Sequence, residues 1–205
     1  MKTKSLWLKC VACLLSIAVI SGALLSVLYN VLEVTAAERT MRAIRKIYGE
    51  EKEYYAVLDT DAGDDPVIYD GMGEINKIYN VVEGSLLFQT TGYKGYKNGT
   101  ITLWIQVVGT QNDALGAQPE FDIVKVLLEK FEKQTLMSKL SDAFYGNFTL
   151  QDVTKEFANG KLFSATDTTA NYNPVTGATY SATAAANAVN CVMRYLAEKG
   201  ADNEN

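Results

Sequence analysis

The chain has 205 residues, 48% of them hydrophobic, a net charge of −5 and no histidine. The missing histidine excludes Ser-His and Cys-His nucleophile systems and His-ligated metal sites. Lys2, Lys4, Lys9 and Glu33 are the only charges in the first 33 residues, which leaves 16 basic and 23 acidic side chains beyond them, a net −7 that excludes nucleic acid as a partner.

From Cys10 to Leu32 run 23 residues without a charge, CVACLLSIAVISGALLSVLYNVL, enough to cross a bilayer core at about 1.5 Å per residue. Ser21, Gly22 and Ala23 sit inside the run with more apolar sequence after them, so the segment reads as an uncleaved single-span anchor, residues 1–34, and the lipid bilayer as its partner. Lys2, Lys4 and Lys9 before the span are balanced by Arg39, Arg42, Arg45 and Lys46 after it, which leaves orientation open on charge. Cys10 and Cys13 form a CxxC at the start of the span and Cys191 lies alone near the end. They read either as small apolar helix residues or as part of a membrane-embedded metal or redox site shared with another subunit.

Residues 35–50 read as an amphipathic stalk helix with Val34, Ala37, Met41, Ile44 and Tyr48 on one side and Gly49 as its stop. Strand-like segments follow in EYYAVLD, PVIYDG, KIYNVV, SLLFQTTGY and TITLWIQVVG, and Tyr96-Lys97-Asn98-Gly99 predicts a tight hairpin. Pro119 opens EFDIVKVLLEKFEK, whose Phe121, Val124, Leu128 and Phe131 predict one face of a helix. A short helix is expected around 136–143 and a loop over 163–180. The alanine-rich ATAAANAVNCVMRYLAEK then predicts a last helix with Val189, Val192, Met193 and Leu196 buried and Gly200 as its stop. The expected architecture is α+β: an N-terminal single transmembrane helix, then one domain over 51–200 with an antiparallel sheet and flanking helices, and a tail at 201–205.

At the start of that last helix stands TGATYS, residues 176–181. Thr176 or Thr179 can cap the helix, and Gly177 and Ala178 leave room for a group to approach the backbone. This reads two ways: a Thr-capped helix after a turn, or a helix mouth whose free N–H groups hold a phosphate.

The motif resembles the [ST]-G-A-T flavinylation motif of the FMN-binding domain in the Rnf electron-transport complex, a motif that the sodium-pumping NADH:quinone oxidoreductase shares. The plan of one span, a stalk and a strand pair in GYKGYKNGTITLWIQVVG ahead of the motif is similar too. The resemblance implies FMN joined covalently through its phosphate to Thr179 by a flavin transferase, with Thr176, Gly177, Ala178, Tyr180 and Ser181 around it. Leu115 and Gly116 in GTQNDALG would stand where the family has an ETPGLG-like loop, and Asn173 takes the place of the family's acidic residue six positions before the acceptor. Tyr93, Tyr96, Trp104 and Tyr180 are the aromatic candidates for the flavin ring. The implied role is a redox subunit of a ferredoxin:NAD oxidoreductase complex that translocates ions. The chain would be an electron carrier among other membrane subunits, with no catalysis of its own, and its domain would lie on the extracellular or periplasmic side of the cell membrane. A stand-alone extracellular flavoprotein and a pilin-like structural protein are the other readings of the same layout.

Overall fold

The computed structural model describes residues 2–32, 35–82, 84–110, 120–165 and 178–202. The chain divides into two compact units, Met1–Thr40 and Met41–Asn205. The division falls inside the segment expected as a stalk.

The first unit holds helix α1 (Lys2–Leu32) and the first turn of α2 (Ala36–Tyr48). At 31 residues α1 is about 46 Å long. The side chains described in it, those of 11–27, are all exposed, with Leu14, Leu15, Ile20, Leu24 and Leu25 among them. Among the described residues no helix is long and apolar enough to cross a membrane, so the expected transmembrane helix is not supported.

The second unit is α+β, as expected: an antiparallel sheet with helices on both faces. Its strands are β1 (Tyr55–Asp59), β2 (Val67–Tyr69), β3 (Gly73–Val82), β4 (Ser85–Gly92), β5 (Thr100–Thr110) and β6 (Glu120–Glu132). The order is β1-β3-β4-β5-β6, with β2 also pairing β3. One face carries Ile75, Phe88, Ile101, Leu103, Ile105, Val107, Ile123 and Val126 under helix α5 (Thr179–Asp202). Helices α3 (Asp142–Gly146) and α4 (Val153–Ala158) complete that layer. The other face carries Tyr79, Val81, Leu87 and Trp104 under Ala43, Ile44 and Ile47 of α2. Lys125 of β6 donates to the carbonyls of Lys46 and Ile47, closing the C-terminal end of α2 with a cation where the helix dipole is negative.

Four expectations are corrected. The helix expected over 120–133 is strand β6, and two β-bulges explain its helical signature. Gly109, Val107, Ile105, Leu103 and Ile101 of β5 face Phe121, Ile123, Val126, Leu128 and Phe131, because Val124 and Glu129 are extra residues in the ladder. The same-face spacing therefore runs 2, 3, 2, 3 along β6 in place of a strand's strict 2 and imitates a helix's 3 and 4. In the Tyr96–Gly99 turn the left-handed residues are Lys97 and Asn98, one position before the expected Asn-Gly pair, and Gly99 is extended. On the stalk, Gly49 does end α2 in a left-handed conformation, but the buried stripe is Ala43, Ile44 and Ile47, while Ala37 is exposed. Helix α5 runs past Gly200 to Asp202. Its stripe of Val189, Val192, Met193 and Leu196 is buried as expected.

A polar cluster pins β1 to β3. Burial alone would raise the Asp59 carboxyl, but hydrogen bonds from Tyr79 Oη (2.5 Å) and the Asp61 N–H (3.0 Å), with the Lys77 ammonium at 3.3 Å, hold it below the ordinary carboxylate range. A lowered folded pKa stabilises the native state above the ordinary value of about 3.9, and the contribution disappears as pH falls through the folded value. Stability measured by urea unfolding should therefore drop below about pH 4 more steeply in wild type than in Asp59→Asn. Equal slopes in the two proteins would show that this carboxylate contributes nothing.

Candidate functional site

The start of α5 is built by close approach of helix and sheet. A Cβ placed on Gly92 would lie 1.9 Å from the carbonyl oxygen of Ala184 and 2.6 Å from the amide nitrogen of Ala188. Only a glycine at position 92 allows this contact, and the small side chains of Ala184, Ala185 and Ala188 are fully buried along the same helix. Asn187 Nδ2 donates to the Tyr93 carbonyl (3.0 Å), tying the helix to the chain leaving β4. Deeper in α5, Asn190 exchanges two hydrogen bonds with the Phe163 backbone, at 2.9 and 2.8 Å, which ties the chain beyond α4 to the helix.

The first intrahelical bond runs from the Ala182 N–H to the Ala178 carbonyl (2.9 Å), which puts buried Ala178 at the cap position and Thr179 in the first turn. Of the two expected caps, Thr179 therefore lies inside the helix, and Thr176 lies outside the described residues. Ala178 has no side-chain acceptor for the first-turn N–H groups, and the positive end of a 24-residue helix is presented there. Thr179 is exposed. Tyr180 beside it is 65% exposed and its ring meets Tyr96 edge-to-face at 6.4 Å, while Lys97 Nζ stands 5.4 Å from the Tyr96 ring centre.

Ser181 points the other way. It is buried, and its hydroxyl donates to Gln134 Oε1 (2.8 Å) and the Thr135 carbonyl (3.3 Å). Gln134 Oε1 also accepts the Tyr96 N–H (3.1 Å), and Gln134 Nε2 donates to the Glu132 carbonyl (3.1 Å).

Of the expected site residues, the structure brings Ala178, Thr179, Tyr180 and Ser181 together at this mouth with Tyr96. Thr176, Gly177, Asn173, Leu115 and Gly116 lie outside the described residues. Trp104 is corrected: it is 3% exposed on the opposite sheet face, stacked on Tyr79 at 6.3 Å beneath α2, because side chains alternate along β5. Tyr93 has its backbone at the mouth, but its hydroxyl donates to Glu74 (2.8 Å), and burial followed by that carboxylate pushes the phenol up to about 12. Tyr93 also borders a polar groove of about 300 Å³ on the Trp104 face. There Thr91, Asn76, Thr102 and Glu74 bond to one another, as a solvated sheet face does.

Sequence reasoning missed Gln134, Asn187 and Gly92. Gln134 follows a strand read as a helix, and no motif marks it. Cys191 is fully buried in α5, and burial pushes its thiol up to about 12, which fits a small apolar core residue; Cys13 is exposed on α1. Among the described residues no group of three or more His, Cys, Asp or Glu could hold a metal ion. No family model, curated protein or solved structure matches the chain significantly.

Proposed function

We propose that the chain is the membrane-anchored, flavin-carrying electron-transfer subunit of an ion-translocating complex of the Rnf type, with FMN esterified through its phosphate to Thr179. The observation that carries this reading is the placement of Thr179: the last residue of the TGAT motif is exposed in the first turn of a long helix, with Tyr180 and Tyr96 beside it. A phosphate ester there receives first-turn N–H donors and the positive helix end, and a flat ring tethered to it has two phenol rings within reach. The flavin supplies the electron chemistry, so the chain has to hold, orient and shield it. Joining Thr179 Oγ to phosphorus needs an activated flavin phosphate whose leaving group departs with the electrons of the broken P–O bond, and a base on the transferase takes the hydroxyl proton.

Co-expression with a flavin transferase tests the reading: the protein should fluoresce in a denaturing gel and gain the mass of one FMN. Absence of both with an active transferase would overturn it.

The anchor belongs to the same reading and rests on the uncharged run over 10–32, which falls within the 31-residue helix α1. The full chain should stay with membranes after carbonate washing, and a chain starting at Thr35 should be released. With the domain outside the cytoplasm, protease added to spheroplasts should digest it. A shortened chain that still sediments with membranes, or a fully protected domain, would refute the respective half.

A further inference from the structure

We propose that Gln134 is the positioning residue of the α5 mouth, the side chain that holds Thr179 and Tyr180 in fixed register with Tyr96; its functional half rests on the flavin reading above. One amide makes contacts to three separate pieces of chain. Its oxygen accepts from the Tyr96 N–H in the turn after β4 and from the Ser181 hydroxyl in the first turn of α5, and its nitrogen donates to the Glu132 carbonyl at the end of β6. Both ends of a glutamine are needed. Gln134→Glu would keep the acceptor but set an oxygen against the Glu132 carbonyl, and Gln134→Asn would fall one methylene short.

The surroundings are shaped to the amide. A Cβ on Gly95 would lie 2.1 Å from Gln134 Nε2, and a Cβ on Gly99 2.5 Å from it, so the two glycines that bracket the Tyr96 turn leave the space that the amide fills. Gly99 also has no room toward the Glu132 carbonyl, at 2.2 Å from its would-be Cβ. Gln134 itself is only half-buried and lies outside any regular element, just beyond β6. Its contacts are local polar ones at the mouth, which suits a clamp.

Among the described residues Thr179 carries no such tie of its own. The bond at its backbone is the Thr183 hydroxyl donating to its carbonyl, one turn along the same helix. Its position relative to the Tyr96 turn is therefore set through Ser181, two residues away, and through the Tyr96–Tyr180 ring contact. Without Gln134 the first turn of α5 and the Tyr96 turn would be joined only by the Tyr96–Tyr180 ring contact and, further from the mouth, by the Asn187–Tyr93 bond. A hydroxyl that must meet a phosphorus in line loses rate steeply when its placement is blurred.

The test uses two readouts on the full chain. Without flavin, amide hydrogen exchange in Gln134→Ala should rise about tenfold at Tyr96 and at Ala182, the first bonded amide of α5, with the β3–β4 ladder still protected. Ser181→Ala should loosen Ala182 alone and leave Tyr96 protected. With flavin transferase, the labelling rate of Gln134→Ala should fall about tenfold, the scale of one lost placement. Ile44→Ala, a buried truncation on the opposite sheet face, should lower the melting temperature yet label within about twofold of wild type. Unchanged or uniformly raised exchange in Gln134→Ala would overturn the clamp. Labelling that falls with melting temperature in Ile44→Ala as much as in Gln134→Ala would overturn the positioning role. A wild type that takes no label overturns the flavin reading and the positioning role with it, and the exchange data, obtained without flavin, separate that result from a failure of the clamp. Should Gln134→Ala not fold, Gln134→Asn, which falls one methylene short of the same partners, carries both measurements.

Discussion

Thr179→Ala should remove the covalent flavin completely: no in-gel fluorescence, and no mass increase, under conditions that label wild type. The esterified atom is the hydroxyl oxygen of an exposed residue in the first turn of α5, and alanine has nothing to put in its place. The loss is chemical and not a loss of fold. An exposed position costs within about 0.5 kcal/mol on substitution, and alanine is the better helix former by a few tenths, so the melting temperature should hold or rise slightly. Thr179→Ser keeps an oxygen but adds rotamer freedom, so it should retain a reduced label. Thr176→Ala should keep a good part of the label, since a hydroxyl that only orients the helix mouth is worth about 1 kcal/mol. Label that survives in Thr179→Ala and vanishes in Thr176→Ala would move the attachment to the other threonine.

Gly92→Ala should be the most destabilising single-methyl change in the domain. The added Cβ would meet the backbone of α5 at three atoms, Ala184 O at 1.9 Å, Ala188 N at 2.6 Å and Ala184 C at 3.0 Å, and backbone cannot swing aside as the end of a lysine can. Either α5 lifts from β4 or the strand bends. Overpacking of this kind costs about 3 kcal/mol or more, against a whole-domain stability of about 5–15 kcal/mol, and should lower the melting temperature by about 10 °C. Gly146→Ala supplies the opposite sign. Nothing lies within 4 Å of a Cβ there, so the alanine only restricts the unfolded chain and should stabilise by about 0.4–1 kcal/mol. Equal melting temperatures for Gly92→Ala and wild type would show that α5 does not sit this close to the sheet.

The sequence by itself determined the features that depend on near neighbours in the chain. The segments of β1 to β5 are rich in Tyr, Val, Ile and Thr and broken by turn residues, and the last helix repeats its buried residues at 3.6, so each element reads correctly from its own residues. Gly49 ends α2 because a left-handed residue is required there, which is again a local matter. The uncharged run over 10–32 and the TGAT motif are likewise visible without any fold.

What depends on a partner strand or a facing helix was decided only in three dimensions. Strand β6 reads as a helix because its two bulges exist only against β5, and a bulge is a property of a pair. Trp104 reads as a candidate for the cofactor until the pleat of β5 sends it to the face under α2. Gly92 reads as one more residue of a strand until Ala184 and Ala188 are brought against it. Gln134 belongs to no period and no motif. Its importance is that three segments distant in the chain, at 96, 132 and 181, leave polar groups that one amide can satisfy together, and unsatisfied polar groups are costly only once folding has withdrawn them from water.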